Sequence, residues 1–287
     1  MASSSSTQAP NTAAPPPPAS QSPRYICIEC TYPVASLYTA YSSADDRQLG
    51  RGVRLTQCPR CRRFADKYVE HDFVVLFIDL VLIKPQVYRH LLFNRLGKVD
   101  DSLDPSIIRL GILLLLFDVY LTWVRIEKVL ATEVGGAGSA VMLSHPIVIQ
   151  YLFFLILCLT ESVVFHFTIR LLAKYILGFK RPNAVSTALL VSSCTKLFPI
   201  LMVIWKYDVP AAARSVGWAV VVNNVEALRI LLGSDYFHAG GLAAAGAIVR
   251  SLASRAILRS VGLWRGGGWV WEDVSWGEWV GLVGLAK

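Results

Sequence analysis

Four stretches of this chain, 107–124, 146–169, 185–205 and 209–232, are apolar over roughly the twenty residues that a helix needs to cross a bilayer. This is its tightest constraint. Inside hydrocarbon every backbone N–H and C=O has to be bonded within the chain, so such segments fold as helices. The composition agrees: 54% of the 287 residues are hydrophobic, 17% are charged, and the mean hydropathy is +0.48. An ordinary soluble domain is excluded, and an α-helical polytopic membrane protein with about four transmembrane helices is expected.

Lysine and arginine in the short loops set the orientation. The segment 170–181 carries Arg170, Lys174, Lys180 and Arg181 with no acid, so it is expected to face the cytosol. The segments 125–145 and 206–208 are nearly neutral. An even number of spans then puts both termini on the cytosolic side, in agreement with Arg250, Arg255, Arg259 and Arg265. The net charge of +8 reads as a pattern of cytosolic loops rather than a nucleic-acid footprint. The first twenty residues have neither a basic n-region nor an apolar h-region, so insertion is expected to rely on an internal segment.

Ahead of the spans stand Cys27-Ile28-Glu29-Cys30 and Cys58-Pro59-Arg60-Cys61, separated by 31–57. Each C-x-x-C puts two thiolates on one tight turn, and two such turns close a tetrahedral metal shell. Paired disulfides or a redox dithiol are the competing readings; a redox pair calls for a thioredoxin-like βαβ pattern, which is absent around these cysteines. A reducing cytosol favours metal. With Cys27, Cys30, Cys58 and Cys61 as ligands, no position stays open for water or substrate, so the zinc is expected to be structural. Arg60, Arg62, Arg63 and Lys67 crowd the second turn and either temper the tetrathiolate charge or face acidic headgroups or nucleic acid. Cys158 and Cys194 sit in apolar runs and read as small buried hydrophobes.

In chain order, residues 1–23 are Pro- and Ser-rich and are expected to be disordered. A small zinc-ribbon-like module follows over 24–72. The region 73–103 begins with an apolar run, 73–83, too short to span; with Pro85 behind it, 73–96 reads as a broken helix pair lying on the membrane or dipping into it, with His90 and Asn94 on one face. The transmembrane region covers 104–233. The C-terminal segment 234–287 holds Arg250, Arg255 and Arg259 within an Ala- and Leu-rich run at 242–264, which reads as an amphipathic surface helix in preference to a fifth span. Five of the eight tryptophans follow, at 264, 269, 271, 276 and 279, and suit a headgroup region.

Ionisable residues inside spans are expensive and point to function. Asp118, Glu161, Lys196 and Glu226, with Asn223 and Asn224 beside the last, suggest a polar seam inside a helix bundle. The seam is either a path for a polar lipid headgroup or helix-to-helix glue in which Lys196 is satisfied by Glu161 or Asp118.

The two cysteine pairs, the continuation Ala65-Asp-Lys-Tyr-Val-Glu-His-Asp72 and the stretch Tyr88-Arg-His-Leu-Leu-Phe-Asn94 together resemble the ARV family, the ACAT-related proteins required for viability. The resemblance covers about 25–96, with the later spans agreeing in number and placement. It implies an endoplasmic reticulum membrane protein, found also at the Golgi in some readings, that serves intracellular sterol and sphingolipid homeostasis and delivers glycosylphosphatidylinositol intermediates. Its implied partners are membrane lipids and lipid-metabolism membrane proteins, with no nucleic acid. A zinc scaffold regulating lipid-synthesis enzymes is the alternative. A membrane acyltransferase is disfavoured because His166 is the one histidine inside the spans and no G-x-S-x-G is present. A cross-braced RING needs eight ligands, more than Cys27, Cys30, Cys58, Cys61 and His71 supply. No enzymatic activity is expected.

Overall fold

A computed structural model describes residues 25–40, 53–97, 101–132, 146–198 and 210–260. The expected disordered tail at 1–23, the loop 125–145 beyond residue 132, the 199–205 part of the third expected span, the loop 206–208 with residue 209, and the Trp-rich end lie outside these residues. The chain divides into two compact units between Ala65 and Asp66.

The first unit is built from two small hairpins. Strand β1 (Tyr25–Ile26) pairs antiparallel with β2 (Pro33–Val34), and β3 (Tyr38–Ala40) with β4 (Val53–Leu55). A bridge between Gln57 and Phe64 closes a third turn. Its buried apolar residues are few, Ile28, Val34, Leu37 and Ala65 beside Cys27 and Cys58. A core of that size does not hold a fold alone.

The second unit is helical. Helix α1 (Phe73–Val81) ends in a turn where Ile83 takes φ 58°, and α2 (Pro85–Arg89) restarts with proline at its first position. A π-helical turn (His90–Arg95) continues α2 and stops at Gly97, where a Cβ would lie 2.5 Å from the Phe93 carbonyl oxygen. Helix α3 (Pro105–Thr132) starts under Asp104, whose Oδ1 accepts the Ser106 N–H at 2.9 Å. Helix α4 (Ile147–Leu177) ends at Gly178 in the left-handed region, with Phe179 N–H returning to the Ala173 carbonyl. Helix α5 (Pro182–Ser192) is capped by Asp101, whose carboxylate accepts the N–H groups of Asn183 and Ala184. A 3₁₀ turn (Ser193–Leu197), then α6 (Pro210–Leu232) and α7 (Tyr236–Ser260) complete the unit.

Among the described residues three helices are long and apolar enough to cross a membrane: Pro105–Trp123 of α3, all of α4 and all of α7. Their large apolar side chains face outward, among them Ile112 and Leu116 of α3, Val163 and Phe167 of α4, and Ile248 and Leu252 of α7. That is the reverse of a soluble helix and matches a hydrocarbon solvent.

Two differences from the sequence expectation follow. The expected third span, 185–205, is not one regular helix where it is described, because α5 gives way to the 3₁₀ turn at Ser193. Of the segment 242–264, expected as a surface helix in preference to a fifth span, residues 242–260 belong to α7, which runs from Tyr236 and packs along α4. Alanines and glycines early in α7 permit this close packing. A Cβ on Gly246 would lie 2.9 Å from Ile169 Cγ1 and 3.1 Å from Phe165 Cδ2. Further along, Arg250 meets Glu161 and Leu258 joins the cluster of Val119, Phe154, Leu157 and Cys158. Later residues of α7 meet earlier residues of α4, so the two helices run antiparallel.

Gly246→Leu overpacks this contact and is expected to lower the stability of the full chain by about 1–3 kcal/mol, read as a fall in melting temperature in detergent. An unchanged or higher melting temperature would contradict the packing described.

Candidate metal centre and buried polar clusters

The two cysteine turns are built alike. In the first, Cys27 N–H bonds the Tyr32 carbonyl at 2.8 Å and Thr31 N–H bonds the Cys27 carbonyl at 2.9 Å. In the second, Cys58 N–H bonds the Arg63 carbonyl at 2.8 Å and Arg62 N–H bonds the Cys58 carbonyl at 2.9 Å. Thr31 and Arg62 occupy the same place in each turn and both take left-handed φ, 59° and 57°, a conformation costly for residues with a Cβ. Each turn thereby faces its two sulfurs to the other pair. All four Sγ atoms lie within 4.8 Å of one another, with Cys27 to Cys61 at 3.7 Å and Cys30 to Cys58 at 3.6 Å. A tetrahedron with metal–sulfur bonds of about 2.3 Å has edges of about 3.8 Å, so the spacing fits one metal ion. None of the four is in a disulfide.

Burial pushes the Cys27 thiol up to about 12. At Cys58 burial pushes the same way, but the N–H groups of Cys61 and Arg60 outweigh it and bring the thiol down to about 7. Those N–H groups stabilise thiolate, the form a metal requires. Such an ion supplies a cross-link between the two turns, with every coordination position taken by sulfur.

The helical unit carries a knot that sequence reasoning missed as a unit. Asp66 is fully buried. Its Oδ1 accepts the Tyr68 N–H at 3.0 Å, and its Oδ2 accepts both His90 Nδ1–H and Asn94 Nδ2–H at 2.7 Å. An ionised carboxylate only accepts, which assigns the proton to Nδ1. Tyr68 then donates its hydroxyl to Asp79 Oδ2 at 2.8 Å, and Lys84 donates to Asp79 Oδ1 at 2.6 Å. Burial pushes the Asp79 carboxyl up, but Lys84 and the Tyr68 hydroxyl outweigh it and hold it below its ordinary value. The four-residue spacing of His90 and Asn94 was the available signal, and their common acceptor, Asp66, is 24 residues upstream.

The membrane-segment residues fall into two groups. Lys196 Nζ lies 2.8 Å from Asp118 Oδ2, one of the two partners suggested by the sequence. Glu161 pairs instead with Arg250 of α7, whose Nη2 and Nε donate to Oε2 at 2.7 and 3.0 Å. Arg250 was not singled out as a site residue, because its helix was expected on the surface. The second group holds Glu226, paired with Arg229 of its own helix at 2.6 Å, and Asn223, which accepts from the Tyr88 hydroxyl at 2.8 Å and donates to Thr195 Oγ1. Asn224 accepts from Ser192 Oγ.

Depth follows from position along the helices. Asp118 is the fourteenth of 28 residues in α3, Glu161 the fifteenth of 31 in α4 and Arg250 the fifteenth of 25 in α7. At about 1.5 Å per residue Glu161 and Arg250 have about 15–24 Å of helix on either side, while Asp118 has about 20 Å before it and about 8 Å after it within Pro105–Trp123. Two acids and two bases, drawn from α3, α4, the 3₁₀ turn and α7, thus form two pairs.

The Arv1-like family model matches residues 26–228. Among curated relatives, Protein arv1 of Schizosaccharomyces pombe is 42% identical over 83% of this chain and 86% of its own length. Protein arv1 homolog of Dictyostelium discoideum is 34% identical over 75% of this chain and 87% of its own, and human Protein ARV1 is 31% identical over 75% and 74%. No solved structure matches the chain.

Metal analysis of the purified full chain is expected to give one zinc ion per chain, lost in Cys58→Ser. Two ions per chain, or none in protein kept reduced throughout, would contradict the single tetrathiolate centre.

Proposed function

Because this chain belongs to the Arv1-like family, we propose that it is a non-enzymatic protein of the endoplasmic reticulum or Golgi membrane that serves sterol and sphingolipid homeostasis. The paired charges halfway along α3, α4 and α7 are the observation that carries this reading. Groups so costly at that depth are kept where a polar headgroup has to be received or passed. Asp118, Glu161 and Lys196 line the path, with Asn223 and Glu226 extending it. Sterols and glycosylphosphatidylinositol intermediates are its candidate cargoes.

The zinc module, on the cytosolic side in this reading, serves as the face that recruits lipid-metabolism membrane proteins. Tyr32, Tyr38 and Phe64 are 39%, 43% and 51% exposed, and Arg60 and Arg62 are exposed as well. Exposed aromatics with arginine suit a protein partner rather than nucleic acid. This surface supports the scaffold alternative, in which the protein organises enzymes instead of moving lipid. Helix α1 presents Phe73, Val74, Ile78 and Leu82 outward, while its one acid, Asp79, turns inward to Tyr68 and Lys84. That arrangement suits a nine-residue helix lying in the membrane surface.

Lys196→Met removes one member of the Asp118 pair while keeping the length of the side chain. The full chain is expected to accumulate to near-normal levels in cells while sterol and sphingolipid balance fails. Preserved balance, or a failure matched by equal loss of protein, would leave the pair as a structural contact and contradict the lipid path.

A further inference from the structure

Arg250 differs from the other ionised groups at its level. Its side chain is 45% exposed, whereas that of its partner Glu161 is 15% exposed. A guanidinium has five N–H donors. Glu161 Oε2 takes one from Nε and one from Nη2, which leaves three for the outward side. The exposed large apolar residues of α7 beside it are Ile248, Val249 and Leu252, and the hydroxyl of Ser251 donates to the Ile248 carbonyl at 2.8 Å. Acyl chains offer no acceptor, and an N–H left in hydrocarbon is expensive.

The position is fixed rather than incidental. Gly246, one turn before Arg250, packs on Phe165 and Ile169, and Phe165 lies one turn after Glu161. The close approach of α4 and α7 thus holds the guanidinium at this depth, with Glu161 behind it.

We propose that Arg250 is the phosphate-binding residue of an intramembrane lipid site, its three outward N–H groups receiving the phosphodiester oxygens of a phospholipid. This inference rests on the lipid reading above and names the ligand class of that site. A planar fork of N–H donors matches two oxygens on one phosphorus, which a sterol hydroxyl does not offer. The charges choose the headgroup. Asp118 and Glu161 balance Lys196 and Arg250, so an electrically neutral ligand keeps the level neutral. The ligand is therefore a zwitterionic phospholipid, whose phosphate meets Arg250.

The full chain in a phosphate-free detergent, titrated with short-chain phosphatidylcholine and followed by native mass spectrometry, tests this. One saturable lipid per chain is expected, weakened at least about tenfold in Arg250→Gln, the factor that follows from losing one charge-assisted hydrogen bond. The charge-swapped Glu161→Arg, Arg250→Glu chain restores the ion pair but moves the guanidinium to the covered side. It is expected to recover the melting temperature without recovering lipid. Arg250→Lys, which keeps the charge and loses the fork, is expected to bind weakly and serves where the swapped chain does not fold. The proposal is overturned by wild-type affinity in Arg250→Gln, by lipid binding regained in the swapped chain, by phosphatidylglycerol binding more tightly than phosphatidylcholine, by inorganic phosphate competing as well as lipid, or by absence of saturable binding. If lipid balance in cells still depends on Lys196 while any of these is found, the proposed function stands and only the assignment of Arg250 falls.

Discussion

A charge halfway across a bilayer needs an opposite charge from the protein itself, and the helical unit is arranged around that requirement. Asp118 and Glu161 would each be prohibitive on an isolated span. Lys196, brought in by a 3₁₀ turn, and Arg250, brought in by a helix held close through Gly246, neutralise them. Each pair joins elements far apart in sequence, so the pairs specify which helices are neighbours as well as their register.

The first unit meets a different shortage. Among its described residues few apolar side chains are buried, and a tetrathiolate metal centre at the four cysteines would substitute by linking two matching turns. The start of the helical unit uses a third device, the buried Asp66 carboxylate with three donors around it. Such charge-assisted bonds are stronger than neutral ones and fail together when one partner is lost. The chain thus draws on a cluster of four cysteines suited to a metal, on a hydrogen-bonded carboxylate and on ion pairs in turn.

Much of this was legible in the sequence. Metal-ligand spacing is local and chemically restrictive, so the cysteine cluster could be read directly, as could the helices α3 and α4, whose long apolar runs hold few ionisable residues. The partner of Lys196 was narrowed to two acids and proved to be Asp118. What goes beyond the sequence depends on tertiary contacts. Three arginines make 242–264 read as a surface helix in preference to a fifth span, and a hydropathy reading counts Arg250 as a charge with no means of knowing that Glu161 neutralises it. The break at Ser193 leaves no apolar gap, so the third span looked continuous. Asp66 carried no signal of its own, since its partners His90 and Asn94 lie a loop and two helices away.

The account depends most on α7 crossing the membrane, because only then does Arg250 reach the depth of Glu161. Reporter cysteines introduced singly as Tyr236→Cys and Ser260→Cys, labelled in sealed membrane vesicles with an impermeant maleimide, test this directly against the unsubstituted chain. The account predicts that the two ends of α7 are labelled from opposite sides. Labelling of both from the same side would contradict it.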